Sequence, residues 1–303
     1  MKGRPILLPY LEALLLFALY AVGYPWFALW CDQHLPRVRG RWVVEELASL
    51  LLVIILIALL NRGNLRDILR PTPRAGWVAG MPVAFQALFL LGLLALACRL
   101  IDPGFDEREF MQRGVTSPGI LIELLGMLPF GVAAEEIVFR TCQSRLRGVL
   151  NPPAAVLAVS LAFALYHRVP GTPLDRHQIE TLLATFTGGL VLSIAYERTA
   201  SLTLLIVVHL SYDILAIAQG WLNIQHLRIA EAFLFLLWIG PAGLLAWRWR
   251  RATPWGSAPA RSFRKSDAPG ELRAISAIPW MASLFFGAAI PLGLAWMRTR
   301  LSF

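Results

Sequence analysis

Long apolar stretches alternate with short polar segments along most of the chain. The apolar stretches approach the roughly 20 residues that an α-helix needs to cross the hydrocarbon core of a bilayer. The polar segments between them are rich in Pro, Gly and Arg. The pattern predicts an all-α, polytopic transmembrane helical bundle of about 8–9 spans. The spans are predicted at approximately 6–30, 43–60, 77–101, 118–147, 152–168, 179–196, 202–220, 229–247 and 274–297.

Composition agrees with a membrane protein. Hydrophobic residues make up 57% of the 303 residues and charged residues only 16%. A soluble domain has about 45–50% apolar and about 25% charged residues. We therefore expect one membrane domain over residues 1–303, with lipid as its surroundings. The three cysteines lack zinc-ligand spacing and are expected to be small apolar packing residues.

The net charge of +9 points to membrane topology and not to nucleic-acid binding. Basic residues collect in cytoplasmic loops of membrane proteins. Placing Lys2 and Arg4 in the cytoplasm also puts a basic loop at about 248–273 there, while the acidic loop around Asp106 falls outside. Short loops in a compact basic chain further favour a bacterial inner (plasma) membrane protein with a cytoplasmic N-terminus.

Ionisable residues lie inside the apolar spans, where they are costly and are a functional hypothesis by default. Two adjacent acids lie in the fourth predicted span, and histidines with a further acid lie in the spans that follow. The residues concerned are Glu135, Glu136, Arg140, His167, His209 and Asp213.

Counting residues from the loops indicates that these side chains can meet. Asn151 and two prolines turn the chain, and Glu135 and His167 lie about 16 residues before and 15 after this turn. At 1.5 Å per residue, both are roughly 20–25 Å from it. His209 lies about 9 residues after the loop at 198–201, or roughly 13 Å deep, which makes it the shallowest of the three.

Helical spacing separates the two acids. Glu136 and Arg140 are four residues apart and can pair on one face, whereas Glu135 is rotated by about 100° and faces elsewhere. His209 and Asp213 are also four residues apart. The pair Gly188-Gly189 permits close approach between helices.

This set of residues can activate water. Glu135 is the natural base because a carboxylate can take a proton from water and return it. His167 and His209 can hold the water or donate to an oxyanion, and Asp213 can orient His209 or bind the same water. Two His and carboxylates can equally bind Zn²⁺, so the sequence leaves a metal open.

Other polar residues are expected to lie outside the site. The pair Glu45-Glu46 is expected at the membrane interface, because it lies near the start of a span. His34, His177 and His226 fall in predicted loops and are expected to be solvated.

Three ordered motifs resemble the signature of the CAAX protease and bacteriocin-processing (CPBP, or Abi) family, which includes the Ras-converting prenyl-protein endopeptidase. The motifs are Glu135-Glu136-x-x-x-Arg140, Phe163-x-x-x-His167 and His209-x-x-x-Asp213. The resemblance covers about 118–220, which is the expected catalytic core.

The resemblance implies an intramembrane endopeptidase acting on a membrane-associated protein or peptide. By position, Glu135 matches the catalytic glutamate, His167 and His209 its polarising partners, and Asp213 the usual Asn or Asp. Glu136, Arg140 and Phe163 match supporting positions. The implied mechanism is of the glutamate type with no cofactor. If the enzyme uses a divalent metal such as zinc, Glu135, His167, His209 and Asp213 are its ligands.

Two departures and two other functions stay open. Thr141 stands where relatives often have Gly. Asp213 replaces the more familiar Asn of the prenyl-protein enzyme, and the negative charge of the acid favours cation binding. A non-catalytic scaffold or bacteriocin self-immunity protein of the same fold is the main alternative. A proton-coupled transporter is another, although no internal repeat is visible.

Overall fold

The computed structural model describes residues 7–34, 41–61, 74–105, 108, 117–167 and 174–249. Every regular element in these ranges is helical, which confirms the all-α prediction. A π-helical turn, Leu19–Gly23, joins the first two α-helices. The α-helices are α1 Leu7–Ala18, α2 Tyr24–His34, α3 Arg41–Asn61, α4 Arg74–Ile101, α5 Pro118–Leu146, α6 Pro152–Tyr166, α7 Arg176–Thr199, α8 Leu202–Ile224 and α9 Arg228–Trp249.

Polar caps set where the central helices begin. The side chains of Ser117, Asn151, Asp175 and Ser201 each accept a hydrogen bond from the backbone N–H three residues further on. Such caps satisfy amide groups that have no partner inside the helix. Proline also opens α5 and α6, where its missing N–H costs nothing.

Five of the described helices are long and apolar enough to cross a membrane, so the protein is an integral membrane protein. This number of spans is smaller than the number that the sequence predicted. They are Arg41–Leu59, Trp77–Ile101, Arg176–Thr199, Leu202–Ile224 and Arg228–Arg248. The predicted count of 8–9 is not confirmed.

The remaining predicted spans differ from this set for separate reasons. Helix α5 carries several charged side chains, and α6 has only 15 residues, about 22 Å of helix against a hydrocarbon core of about 30 Å. The predicted span 6–30 is a helical run with a π-helical turn in its middle. The predicted span 274–297 and nearly all of the basic loop 248–273 lie outside the described residues.

Two clusters of buried apolar side chains hold the central helices together. In one, α1, α3 and α6 pack against α5, with Val138 and Phe139 fully buried at its centre. In the other, α4, α7 and α8 pack together around Leu91 and Leu205. Helix α7 also packs on α6 and so connects the two clusters.

Glycine allows the contact between α6 and α7 to be close. A Cβ atom at Gly189 would lie 3.1 Å from Phe163 Cδ1 and 3.3 Å from Ser160 Cα. The absence of a side chain at Gly189 therefore lets Phe163 lie flat between the two helices, as the Gly188-Gly189 pair predicted.

We predict that Gly189→Val destabilises the protein by about 1–3 kcal/mol, because extra volume in a tightly packed contact forces helices or side chains to move. Thermal unfolding in detergent measures this. Gly240→Val on α9 is the matched control, since nothing lies within 4 Å of the Cβ position there. Equal unfolding midpoints for the two variants would contradict the close-contact interpretation.

Candidate functional site

A fully buried ion pair lies at the centre of the bundle. Glu136 is 0% exposed and Arg140 is 1% exposed, and Glu136 Oε2 lies 3.0 Å from Arg140 Nε. The two residues are one turn apart on α5, as their spacing predicted. Burial of either charge alone is very costly, so each side chain compensates the other.

His209 on α8 binds the second oxygen of Glu136. The distance from His209 Nδ1 to Glu136 Oε1 is 2.9 Å. An ionised carboxylate only accepts hydrogen bonds, so Nδ1 carries a proton and donates it to this bond. The imidazole is thereby oriented by Glu136, and its Nε2 points the other way.

His209 Nε2 faces two further carboxylates. It lies 4.0 Å from Glu135 Oε2 and 3.7 Å from Asp213 Oδ2. Asp213 therefore lies on the Nε2 side of the ring, whereas Glu136 binds the ring at Nδ1.

The structure divides the two adjacent acids as helical geometry indicated. The side chain of Glu135 is 16% exposed and that of Asp213 is 25% exposed, whereas Glu136 is sealed among protein groups. Glu135 is therefore a partly accessible carboxylate on the Nε2 side of His209, and Glu136 is a fully buried one on the Nδ1 side.

His167 joins this group through an aromatic ring. The ring of Phe163 lies 4.5 Å from the His167 ring and 5.8 Å from the His209 ring, measured between centroids. His167 follows the last residue of α6, and its Nδ1 lies 2.8 Å from the carbonyl oxygen of Phe163. Phe163 thus separates the two imidazoles and sets the plane of each.

The depth count placed His209 nearer its loop than Glu135 and His167, while allowing the three sites to converge. In the structure His209 Nε2 lies 4.0 Å from Glu135 Oε2, so these two side chains do meet.

Several polar residues that support the site were not singled out from the sequence. Arg140 Nη1 donates to Gln143 Oε1 at 2.5 Å and to Ser193 Oγ at 2.8 Å. Gln143 in turn donates to the Ser193 carbonyl and to Glu197. The helical spacing of Gln143, one turn after Arg140 on the same face, was the available signal.

One expectation about other polar residues was wrong. His177 is not a solvated loop residue; it lies in the first turn of α7, is 7% exposed, and accepts a hydrogen bond from Arg108. The pair Glu45-Glu46 lies near the start of the span Arg41–Leu59. Glu45 is buried and pairs with Arg41 at 2.5 Å, and the half-buried Glu46 accepts a hydrogen bond from Tyr24.

Among the described residues, no group of three or more His, Cys, Asp or Glu side chains is arranged to hold a metal ion. Glu136 is bound at Nδ1 of His209, so a ligand to this ring binds at Nε2. The metal-dependent alternative, with Glu135, His167, His209 and Asp213 as ligands, stays a prediction.

The fold and the site together define a helical membrane protein with a buried acid–histidine centre. Residues 117–215 match the family model described as Rce1-like, type II CAAX prenyl endopeptidase. This segment contains all of the predicted site residues from Glu135 to Asp213. The match confirms the resemblance of this segment to the CAAX protease and bacteriocin-processing family.

No curated protein and no solved structure matches the chain. The family is a protease family, and this supports the expectation that the protein is a peptidase.

We predict that Arg140→Leu lowers the free energy of unfolding by about 3–5 kcal/mol, because it leaves Glu136 buried without its cation. Arg145→Leu on the same helix is the control. Its partner Glu12 and its own guanidinium are both partly exposed, so its loss should cost about 1 kcal/mol or less. Thermal midpoints and folded yield in detergent compare the two, and equal losses would contradict the importance of the buried pair.

Proposed function

We propose that this protein is a glutamate-type intramembrane endopeptidase that hydrolyses a peptide bond in a membrane-associated protein or peptide. The observation that carries the proposal is the orientation of His209, whose Nδ1 is bound by Glu136 while its Nε2 faces Glu135 and Asp213. The family match supports the same reaction class.

The separations around His209 suit a shared water. Distances of 4.0 and 3.7 Å exceed a direct hydrogen bond, and a water that bridges such groups is held nearly as well as by direct bonds. Glu135 takes one proton from this water while the water oxygen attacks the scissile carbonyl carbon.

The remaining steps return that proton. The attack forms a tetrahedral intermediate whose oxyanion is stabilised by a donor from His209 or His167. Glu135 then gives its proton to the amide nitrogen as the C–N bond breaks, which leaves a carboxyl and an amine product. Glu136 and Arg140 do not exchange protons with substrate; they hold His209 in its orientation.

The proposal assigns both the activation of water and the stabilisation of charge to side chains, and no step passes through a metal ion. The lack of a three-donor group among the described residues supports this assignment. Zinc analysis of the purified protein checks this assignment, and stoichiometric zinc required for activity would contradict it.

The substrate class follows from the location of the site and from the family. A site among membrane-spanning helices receives a peptide that is itself anchored in the bilayer. The family model is described as a CAAX prenyl endopeptidase; for this chain we propose a bacterial inner membrane location, a cytoplasmic N-terminus, and cleavage of a C-terminal anchor or a leader peptide.

We predict that Glu135→Gln abolishes cleavage, by at least about 10²-fold, because the amide cannot accept the proton of water. The readout is the set of protein termini in membrane and secreted fractions, compared between cells with wild-type and variant protein. A quenched fluorescent peptide with a prenylated C-terminal Cys is the defined probe in detergent.

Glu123→Gln removes a carboxylate from the same helix, three turns before the site, and should cleave like the wild type. Termini that are identical in the wild-type and Glu135→Gln strains would contradict the peptidase. Full biological function of a Glu135→Gln/His209→Ala variant would instead favour the non-catalytic scaffold or self-immunity protein.

We also predict that Asp213→Asn keeps most of the activity while Asp213→Leu loses about 10-fold to 10²-fold. An amide can still hold a water through its oxygen, but a leucine cannot. Initial cleavage rates of the fluorescent peptide measure both variants. Loss of activity in Asp213→Asn, together with loss of bound zinc, would show that the acid holds a cation.

A further inference from the structure

A chain of tyrosines and an acid lies beside the site and comes largely from helices outside the family-matching segment 117–215. Tyr20 and Tyr24 belong to the π-helical turn and the start of α2, and Glu46 belongs to α3. Single π-helical turns inside α-helices are frequent at functional sites. The only member within the matched segment is Tyr166 on α6.

The acid end of this chain lies against the catalytic helix. A Cβ atom at Gly131 would lie 3.1 Å from Glu46 Oε2, so the Glu46 carboxylate occupies the notch that this glycine leaves in α5. Gly131 is one turn before Glu135 on the same helical face.

The phenol of Tyr24 holds Glu46 in this notch. Tyr24 Oη donates to Glu46 Oε1. The Tyr24 ring stacks on Tyr20, with centroids 5.7 Å apart and planes 12° apart. Because Tyr20 is buried, a movement of the Tyr24 ring is passed to it.

The other end of the chain reaches His167. The rings of Tyr20 and Tyr166 stack at 5.0 Å, and Tyr166 Oη donates to Tyr20 Oη at 3.4 Å. The Tyr166 ring stands at 85° to the neighbouring His167 ring, with centroids 5.1 Å apart. Phe139, one turn after Glu135, packs edge-on against both tyrosines.

We propose that Glu46 is a positioning residue of this site, acting through Tyr24 and the stacked Tyr20 and Tyr166 rings to fix the orientation of His167. The proposal rests on the peptidase function proposed above. It assigns to the N-terminal helices a part in the chemistry, because their side chains fix the orientation of the His167 ring.

Three variants test the acid end. Glu46→Leu and Tyr24→Phe each remove the bond between acid and phenol and should lower kcat about tenfold, with KM nearly unchanged, since small misplacements of reacting groups cost this much or more. Glu46→Gln should keep most of the activity, because its amide oxygen still accepts from Tyr24. The Glu46→Leu/Tyr24→Phe double variant should have a kcat no lower than that of the less active single variant, because both changes remove the same hydrogen bond.

Glu45→Leu is the matched control. It replaces the neighbouring acid on α3, which is buried and pairs with Arg41. It should lower the thermal midpoint without changing kcat per folded molecule. Wild-type kcat in Glu46→Leu, or additive losses in the double variant, would overturn the positioning role.

A second measurement does not depend on cleavage. In protein labelled with ¹³C and ¹⁵N histidine, the His167 resonance is assigned by its loss in His167→Gln. It should shift in Tyr24→Phe and Glu46→Leu and stay in place in Glu45→Leu. An unmoved His167 resonance overturns this proposal whatever the activity, whereas failure of the wild type to cut any substrate, with a shifting resonance, contradicts only the peptidase function.

Discussion

Glu136 is the residue on which the arrangement of the site depends. One of its oxygens faces Arg140 and the other accepts from His209, so a single buried carboxylate joins two helices. A buried acid of this kind is stable only when its charge is compensated and its oxygens are used. Arg140 compensates the charge and is itself held by Gln143 and Ser193. Loss of either Glu136 or Arg140 leaves the charge of the other unpaired in an apolar interior.

The consequence of this interaction appears on the far side of the imidazole. Because Nδ1 of His209 is bound, Nε2 has one direction to face, and that direction contains Glu135 and Asp213. His209 is thus oriented by Glu136, which lies on the opposite side of the ring from Glu135 and Asp213. Phe163 fixes the other face of the same histidine, and it can lie there because Gly189 has no side chain. Packing and charge therefore act on one ring from two sides.

The N-terminal helices pack against the helix that carries Glu135. The family-matching segment supplies the acids and histidines of the site, while α1 and α3 pack on α5 and the Glu46 carboxylate lies in the notch at Gly131. Tyrosines stack well in such a place because they are large and rigid and carry a polar group at one end. The carboxylate of Glu46 gives the phenol of Tyr24 a hydrogen-bond partner.

The sequence by itself determined the helical class, the membrane environment and the residues of the site, since apolar period, span length and short ordered motifs are local properties. It also separated Glu136 from Glu135, because helical rotation and the four-residue spacing to Arg140 do not depend on other helices. Only the tertiary structure decided which partner orients His209, that α8 brings His209 beside Glu135, and that Glu45 and His177 are buried. Those facts depend on contacts between residues far apart in the chain, such as Glu136 with His209, Tyr24 with Glu46 and Arg108 with His177, and no local pattern encodes them.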